Sequence, residues 1–511
     1  MDDLLGRILR APVYDVAIES PLDAAERLST RLGNRIWIKR EDLQPIFSFK
    51  LRGAYNRIRN IPERDRSAGV VAASAGNHAQ GVALAAARLG VDAKIVMPRT
   101  TPLIKVEAVR RLGGEAILEG DGYDDASAHA REIEAGEERI FVHPYDDPDV
   151  IAGQGTVGME ILRQHAGTPD AIFVPVGGGG LAAGVVAYAR EVAPNARVIG
   201  VEPDDAACLA AALGAGEPVD VGPVGLFADG VAVRKVGAFP FSILQEGIDE
   251  VVTVSIDEIC AAIRDVFEDT RSIAEPAGAL AVAGMKKWIQ RDDVQGASLV
   301  AINSGANMNF DRLRHIAERA EFGEQREALL AVTIPEEPGS FQTLCRAIGD
   351  RSVTEFNYRI AEGAAAKVFV GVALGGDASA CVEVQSDLEQ AGFAVVDMTG
   401  NEMAKLHVRY MVGGRGGQAE RSDRADHAQE RLFRFEFPER PGALMRFLDR
   451  IGGRWNISLF HYRNHGAAFG RVLVGLEAVG GDWGDLERRF DELGFPCVEE
   501  THNPANEIFL R

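Results

Sequence analysis

Two segments in the C-terminal part of this chain repeat each other, which limits the possible folds of that part. AVTIPEEPGSF at 331–341 matches RFEFPERPGAL at 434–444, at an offset of 103 residues. A second pair, EFNYR at 355–359 and LFHYR at 459–463, follows in the same order at an offset of 104. Two motifs that recur in order at nearly one offset predict two copies of one structural unit.

Each copy follows the order strand, helix, strand, strand, helix, strand, which is the split βαβ, ferredoxin-like arrangement. In the first copy the apolar periodicity predicts strands at 329–334, 353–360, 367–373 and 394–397 and helices at 339–348 and 379–391. We expect the copies to occupy 328–400 and 432–505. The glycine-rich, charged stretch at 413–431 is typical of a flexible linker.

The N-terminal part, 1–322, predicts an α/β catalytic domain. Its short apolar runs are nearly continuous in Val, Ile and Ala, as expected for a sheet covered by helices on both faces. The predicted strands are at 36–39, 70–74, 94–97, 116–119, 140–143, 171–176, 197–202 and 298–302. The predicted helices among them are at 80–89, 124–135 and 181–192.

Composition excludes some classes of function. The net charge of −21 argues against binding to nucleic acid or to an anionic membrane. No apolar run approaches the roughly 18 residues of a membrane span, and we expect no secretory signal. The five cysteines are far apart, which favours reduced thiols in a cytoplasmic protein over a disulfide frame or a zinc site.

A run of four glycines joins the predicted strand at 171–176 to the helix at 181–192. The run consists of Gly177, Gly178, Gly179 and Gly180. Glycines leave backbone N–H groups unshielded at the positive end of a helix, which suits a phosphate. The run lacks the residues of a P-loop and the GxGxxG spacing, so ATP and NAD are disfavoured. The alternative is a tight turn with close packing between helix and sheet.

Two further loops also follow predicted strands, at the sheet edge where open α/β sheets bind ligands. The first comprises Ser74, Ala75, Gly76, Asn77 and His78, whose N–H groups suit a carboxylate. The alternatives are that Asn77 caps the helix and that His78 is a structural histidine. The second loop is INSGAN at 302–307, in which Ser304 either bonds a ring nitrogen or caps a turn.

Lys50 lies in SFKLRGA at 48–54, among apolar and aromatic residues. A lysine in an apolar pocket has a lowered pKa and can form a Schiff base. The alternative is an exposed lysine on a helix whose neighbours in sequence happen to be apolar. Together, a pocket lysine, a phosphate loop, a carboxylate loop and a serine for a ring nitrogen are the groups that pyridoxal phosphate requires.

These motifs resemble the fold-type II pyridoxal-phosphate enzymes of the serine/threonine dehydratase group, which have a tryptophan synthase β-like fold. The matching segments are SFKLRGA, ASAGNHAQGVA, PVGGGGLAAG and INSGAN. With two ACT-like repeats added, the chain is similar to the biosynthetic threonine deaminases (threonine ammonia-lyases) of that family. The resemblance implies deamination of L-threonine to 2-oxobutanoate as the first committed step of isoleucine synthesis, with L-serine as another possible substrate.

The resemblance also implies residue roles. Lys50 forms the Schiff base and then removes the Cα proton, and the loop at 74–78 receives the substrate carboxylate. The remaining cofactor contacts are Phe49 beside the ring, Asn77 at the ring hydroxyl, Ser304 at the ring nitrogen, and Val176 with the four glycines at the phosphate. Because a serine does not enforce protonation of that nitrogen, elimination is favoured over racemisation.

Two departures from related serine racemases bear on activity and metal binding. Those enzymes have a second, acid–base serine where this chain has Ala75, so we expect poor racemase activity. They also bind a divalent metal through a Glu-Pro pair and an Asp six residues after that Glu. Here Glu202-Pro203 is present but Cys208 replaces the Asp, so we expect no divalent metal.

For the regulatory part, the resemblance implies that isoleucine inhibits the protein and that valine opposes isoleucine. It also implies a homotetramer. Effector binding needs N–H groups near the PG turns and an apolar pocket. The candidates are Glu336, Gly339, Phe341, Tyr358, Leu444 and Tyr462. The alternative is that these residues form the core and turns of the repeats.

Three other functions stay open at this stage. A catabolic serine/threonine deaminase usually lacks a double ACT tail. Threonine synthase or a cysteine-forming β-replacement enzyme shares the lysine and the glycine loop. A catalytically dead amino-acid sensor is disfavoured because the candidate cofactor residues are all present.

Overall fold

The computed structural model divides the chain into two compact units, Met1–Gly323 and Glu324–Arg511. It describes residues 4–324, 326–335, 337, 339–359, 365–375, 378–401, 404–405, 408, 430–438, 445, 447–449, 455–463, 469–477, 483–493 and 497–503. Among these residues, no helix combines the length and the apolar character needed to cross a lipid bilayer.

The first unit contains two sheets. Its strands are β1 (Leu22–Ala24), β2 (Arg35–Arg40), β3 (Val70–Ala73), β4 (Ala93–Met97), β5 (Glu115–Leu118), β6 (Ile140–Phe141), β7 (Ala171–Pro175), β8 (Arg197–Pro203), β9 (Glu250–Val254) and β10 (Ser298–Asn303). Six strands form one sheet in the order β1-β2-β10-β7-β8-β9, and four form the other in the order β5-β4-β3-β6. Only β1 pairs antiparallel to its neighbour.

Helices connect these parallel strands, since a parallel pair needs a crossover. They are α1 (Leu4–Arg10), α2 (Glu26–Leu32), α3 (Lys50–Arg59), α4 (Glu63–Arg66), α5 (Asn77–Leu89), α6 (Leu103–Arg111), α7 (Tyr123–Glu137), α8 (Pro148–Gln164), α9 (Gly180–Val192), α10 (Cys208–Ala215), α11 (Ala238–Gly247), α12 (Ile256–Thr270), α13 (Pro276–Asp292) and α14 (Leu313–Gly323).

Strand β3 shows why the predicted strands are apolar throughout. Val70 and Ala72 belong to one hydrophobic cluster, whereas Val71 and Ala73 belong to another. All four are fully buried. Because successive side chains point to opposite faces of a sheet, both faces of this strand are covered, as the sequence predicted.

The predicted strands and helices of this unit are confirmed, with small changes at their ends. The helix expected from residue 80 begins at Asn77, and the strand expected at 140–143 ends at Phe141. Strand β9 and helices α8, α12 and α13 were not predicted. The division into two sheets was also not predicted from the sequence, because it depends on which strands pair.

The second unit is one antiparallel sheet with helices. Its strands are β11 (Glu327–Pro335), β12 (Val353–Arg359), β13 (Ala365–Ala373), β14 (Ala394–Asp397), β15 (Glu430–Pro438), β16 (Asn456–Arg463), β17 (Phe469–Glu477) and β18 (Cys497–Glu499). Its helices are α15 (Ser340–Ile348), α16 (Ala378–Gln390) and α17 (Trp483–Leu493). The sheet order is β14-β11-β13-β12-β16-β17-β15-β18.

The two repeats share this sheet. They meet where β12 pairs antiparallel with β16, which places Tyr358 opposite Phe460. One hydrophobic cluster contains residues of both copies, including Phe356 and Phe460. The predicted order of the first copy is confirmed. The predicted linker at 413–431 lies outside the described residues except for its last two, which belong to β15.

Candidate active site

Lys50 begins helix α3 and lies against the loop that contains Ser304. The Phe49 N–H donates to the Ser304 carbonyl at 3.3 Å, and Ser48 pairs with Gly305 as an isolated bridge. The Lys50 Nζ donates to the Pro144 carbonyl at 3.2 Å. The structure therefore joins two segments that are about 250 positions apart in the sequence.

Burial lowers the pKa of the Lys50 amine to about 8, although the negative charge of Glu275 opposes this shift. The Nζ also lies 5.3 Å from the centre of the Phe49 ring. At a pH near 8 a large share of this amine is therefore unprotonated, which is the form that acts as a nucleophile or base.

A buried ion network holds α3 in place. Arg52, two residues after Lys50, donates from Nε to Glu41 at 2.8 Å and from Nη1 to Glu160 at 2.6 Å. Lys39 donates to the same Glu160 at 2.6 Å. All four side chains are fully buried. Because an unpaired buried charge is costly, each member depends on the others, and the start of α3 is fixed with them.

The glycine loop between β7 and α9 has its carbonyl groups fixed by three donors. The Cys208 thiol donates to Gly177 at 3.4 Å, the Gly237 N–H to Gly178 at 3.1 Å and the Ala183 N–H to Gly179 at 2.9 Å. Since peptide groups are planar, fixing the carbonyls also fixes the N–H groups of the following residues. The loop is thus a preformed set of backbone donors.

Close approach explains why this loop consists of glycines. A Cβ on Gly178 would lie 2.2 Å from the ring of Tyr145, and one on Gly177 would lie 2.9 Å from the Val231 Cα. Gly179 has a φ of 91°, which favours glycine. Val176 differs from them, because its N–H donates to the Val201 carbonyl at 2.8 Å within the sheet. That N–H is therefore not available to a phosphate.

The loop at 74–78 ends in the N-terminus of α5. The Ser74 N–H already donates to the Val96 carbonyl at 3.1 Å, and Ser74 Oγ accepts from the Gly76 N–H at 3.2 Å. The Nε2 of His78 lies 2.9 Å from the Val142 carbonyl and donates to it, since a carbonyl only accepts. Burial lowers the pKa of His78 to about 3, so its ring is neutral and its side chain structural.

Ser304 follows β10 and is buried. Its Oγ donates to the Ala277 carbonyl at 3.2 Å. A hydroxyl has one hydrogen to donate and two lone pairs that accept. While its hydrogen is donated to Ala277, the hydroxyl can only accept from another group, and it has to leave Ala277 if it is to donate to one.

Two family models match the chain. The model described as "Pyridoxal-phosphate dependent enzyme" covers residues 13–305. The model described as "C-terminal regulatory domain of Threonine dehydratase" covers residues 318–408 and 421–510. Together they extend over both structural units.

Full-length relatives agree with these models. The chain is 55% identical to a biosynthetic L-threonine dehydratase of Burkholderia multivorans, over 99% of each chain. It is 54% identical to the Escherichia coli protein of that name, over 99% of this chain and 97% of the relative. The chain belongs to the biosynthetic threonine dehydratase family. Enzymes of this family depend on pyridoxal phosphate, and this dehydratase therefore does so as well.

Solved structures match the catalytic unit of the dehydratase. The processed form of threonine deaminase isoform 2 from Solanum lycopersicum has a TM-score of 0.61 and 51% identity, covering 62% of this chain and 92% of that one. Serine racemase from Dictyostelium discoideum has a TM-score of 0.55 and 31% identity, covering 60% of this chain and 99% of that one. The fold-type II catalytic fold is thereby confirmed.

The residues present fit pyridoxal phosphate. The glycine loop provides preformed donors for a phosphate, and the Lys50 amine has the lowered pKa that carbonyl chemistry requires. A Cβ at Gly178 would meet the Tyr145 ring, so the loop packs against its neighbours at a distance that only glycine allows. Phosphate donors, an amine and a buried hydroxyl all belong to one structural unit.

The structure adds two polar residues that the sequence analysis of the dehydratase did not identify, Glu275 and Asn307. Glu275 Oε1 accepts from Asn77 Nδ2 at 2.6 Å, and Asn77 Oδ1 accepts from Asn307 Nδ2 at 2.7 Å. Burial raises the pKa of Glu275 to about 7. The local signal was a glutamate before Pro276 at the start of an apolar helix, which by itself indicates only a helix N-terminus.

Glu202, the residue compared above with a metal ligand of racemases, bonds to backbone N–H groups. Its carboxylate accepts from the N–H groups of Leu209 at 2.7 Å and Ala210 at 2.9 Å, at the N-terminus of α10. Burial raises its pKa to about 7. Among the described residues, no group of three or more His, Cys, Asp or Glu side chains is arranged for a metal ion.

Three of the effector candidates are core residues of the second unit. Phe341, Tyr358 and Tyr462 are 7%, 2% and 3% exposed, respectively. The rings of Phe341 and Tyr358 are 4.7 Å apart at their centres, in an edge-to-face arrangement. Gly339, with a φ of 95°, precedes α15. Two further candidates, Glu336 and Leu444, lie outside the described residues.

Proposed function

We propose that this chain converts L-threonine to 2-oxobutanoate and ammonia, with L-serine as a second substrate. The observation that carries the proposal is the hydrogen-bonded junction between the Lys50 segment and the Ser304 loop. This junction supports assigning the amine and the candidate group for a ring nitrogen to one site. The Lys50 contact with Pro144, next to the Tyr145 that packs on Gly178, supports including the glycine loop in that site. The full-length similarity to biosynthetic threonine dehydratases supports the choice of substrate.

We assign the removal of the Cα proton to the Lys50 amine. When bound, pyridoxal phosphate supplies an electron sink for the carbon that loses this proton. The β-hydroxyl then leaves with the electron pair of its C–O bond and takes up one proton to depart as water, which balances the proton removed from Cα. Hydrolysis of the C–N bond releases ammonia. A lowered lysine pKa helps, because an efficient base has a pKa near the working pH.

We assign the binding of the cofactor phosphate to the N–H groups of the loop at 177–180. We assign contact with the ring hydroxyl to Asn77, contact with the ring nitrogen to Ser304, and packing against one ring face to Phe49. The substrate carboxylate is received at the N-terminus of α5, where unpaired N–H groups and the helix dipole favour an anion. Because the Ser74 N–H donates to the Val96 carbonyl and the Gly76 N–H donates to Ser74 Oγ, we assign that role to the N–H groups of Ala75, Asn77 and His78.

We propose that isoleucine inhibits the enzyme through the second unit and that valine opposes isoleucine. The match to a threonine dehydratase regulatory domain supports this. The reaction is then the first committed step of isoleucine synthesis. We further propose a cytoplasmic homotetramer. Five free cysteines fit a reducing compartment, and light scattering of the purified protein would contradict the tetramer if it gave another subunit number.

The experiment that tests the proposal measures 2-oxobutanoate formation from L-threonine, with and without L-isoleucine. Lys50→Ala should lower turnover by at least about 10³-fold, since a positioned base contributes on this order. Lys94→Ala is the matched control, because Lys94 forms an ion pair with Glu137 and should not change turnover. Wild-type protein that forms no 2-oxobutanoate with pyridoxal phosphate present would refute the proposed reaction.

A second outcome separates catalysis from regulation. Turnover that isoleucine does not change would retain the dehydratase reaction and refute feedback control. Formation of D-allothreonine from L-threonine, or of D-serine from L-serine, at a comparable rate would contradict the poor racemase activity expected from Ala75.

A further inference from the structure

Glu275 is a buried carboxylate that contacts two loops of the candidate site. It is 3% exposed and precedes Pro276 at the start of α13. Its backbone N–H donates to the Gly305 carbonyl at 3.0 Å, next to Ser304. Its Oε1 accepts from Asn77 Nδ2 at 2.6 Å. One residue thus connects the Ser304 loop with the N-terminus of α5.

Asn77 is fixed at both ends of its amide. Asn307 Nδ2 donates one hydrogen to the Ile46 carbonyl and one to Asn77 Oδ1, each at 2.7 Å. Asn77 Oδ1 must therefore be the acceptor, and Asn77 Nδ2 the donor to Glu275. Because an amide nitrogen carries two hydrogens, Asn77 keeps one N–H for a further acceptor. The network of Asn307 and Glu275 decides which way this N–H can point.

We propose that Glu275 is a positioning residue of the dehydratase: its carboxylate holds the Asn77 amide in the one orientation that directs an N–H to the cofactor. This inference rests on the proposed role of Asn77 at the ring hydroxyl. Without an acceptor at position 275, the hydrogen bond from Asn307 to Asn77 Oδ1 is left as the one contact of this network that opposes turning of the amide about its terminal torsion, which is broad and weakly restricted.

The charge of Glu275 gives the same residue a second effect, on Lys50. Its negative charge raises the pKa of the Lys50 amine, against the larger lowering caused by burial. The pKa of Glu275 itself is raised to about 7 by burial first and by the charge of Asp229 second. The Asn77 hydrogen bond and the positive charge of Lys105 lower it. The carboxylate therefore becomes ionised near neutral pH.

Two substitutions separate these effects. Glu275→Gln removes the charge and keeps an acceptor oxygen for Asn77, whereas Glu275→Ala removes both. In the apoenzyme, the pH midpoint for labelling Lys50 with an amine reagent, read by peptide mass spectrometry, should fall by roughly one unit in either variant. Titration of the apoenzyme with pyridoxal phosphate should show weaker binding for Glu275→Ala, by roughly tenfold for one lost hydrogen-bond arrangement, and nearly unchanged binding for Glu275→Gln.

Glu202→Gln is the matched control. Glu202 is also a buried carboxylate with a pKa raised to about 7, but it bonds to the N-terminus of α10. Its substitution should leave the Lys50 midpoint unchanged. A Lys50 midpoint and a cofactor affinity that equal wild type in both Glu275 variants would overturn the proposal.

The measurements distinguish this proposal from the proposed reaction. Labelling and cofactor titration need no substrate, so a protein that does not turn over L-threonine still tests Glu275. Circular dichroism checks that the variants are folded. If Glu275→Ala fails to fold, the Lys50 midpoint of Glu275→Gln decides the charge effect. Asn77→Ala then replaces Glu275→Ala in the titration. If Asn77→Ala binds the cofactor with wild-type affinity, the positioning role is overturned.

Discussion

The candidate binding regions of the two units consist of different chemical groups. In the catalytic unit, the site consists of backbone donors and buried polar side chains, at loops where strands end. In the regulatory unit, the described candidates Phe341, Tyr358 and Tyr462 are packed in a shared aromatic core. A backbone site is preformed and intolerant of added atoms, whereas a packed core is intolerant of lost atoms. Substitutions that add volume should therefore disturb the glycine loop of the catalytic unit. Substitutions that remove volume should disturb the aromatic core of the regulatory unit.

Gly178→Ala should have the largest effect on cofactor binding and would sharpen this comparison. The added Cβ would lie 2.2 Å from the Tyr145 ring, so either the loop or the ring has to move. Overpacking of this kind costs roughly 1–3 kcal/mol, and we expect cofactor affinity to fall by a corresponding ten- to hundredfold. Titration of the apoenzyme with pyridoxal phosphate measures it.

Gly136→Ala is the control for that prediction. Gly136 lies in α7, and a Cβ there would meet nothing within 4 Å. Cofactor affinity should be unchanged in this variant. If Gly178→Ala behaved in the same way, the glycine loop would not be a close-packed backbone site.

Phe341→Ala tests the other half of the comparison. Phe341 packs with its ring centre 5.2 Å from that of Phe356 and 6.0 Å from that of Phe460, across both repeats. Removing a buried phenylalanine ring costs about 3–5 kcal/mol. We expect the second unit to unfold at lower denaturant concentration and inhibition by isoleucine to be lost, with uninhibited turnover retained.

Val382→Ala is its control, since Val382 is 67% exposed on α16 and should leave both properties unchanged. Equal stability of Phe341→Ala and wild type would contradict the description of Phe341 as core. Retained stability with altered isoleucine response would instead support direct contact with the effector.

Lys105→Ala should have the smallest effect. Lys105 on α6 donates to Asp229 at 2.7 Å, and both side chains are partly exposed. Such pairs contribute only about 0.2–1 kcal/mol. We expect less than a fivefold rise in KM for L-threonine at low salt, and a smaller one at 1 M salt, where the charges are screened. A rise that does not depend on salt would show that Lys105 contacts the substrate directly.

The repeat shows how far local patterns determine the fold. The strands and helices of the first copy were predicted nearly to the residue, because each is short and has a clear apolar period. The sharing of one sheet by both copies was not predicted. It depends on the pairing of β12 with β16, about 100 residues apart, which no local period encodes.

The sequence by itself determined the loops that can bind an anion, the lysine among apolar neighbours and the family. Each of these is a local signal, carried by glycines or by a few adjacent residues. Only the tertiary structure decided which backbone N–H groups of these loops can bind a ligand. The N–H groups of Val176 and Ser74 cannot, because each already donates to a backbone carbonyl. It alone also brought Glu275 and Asn307 to Asn77, across 198 and 230 positions of sequence. A hydrogen bond depends on distance in space, and folding sets that distance independently of separation along the chain.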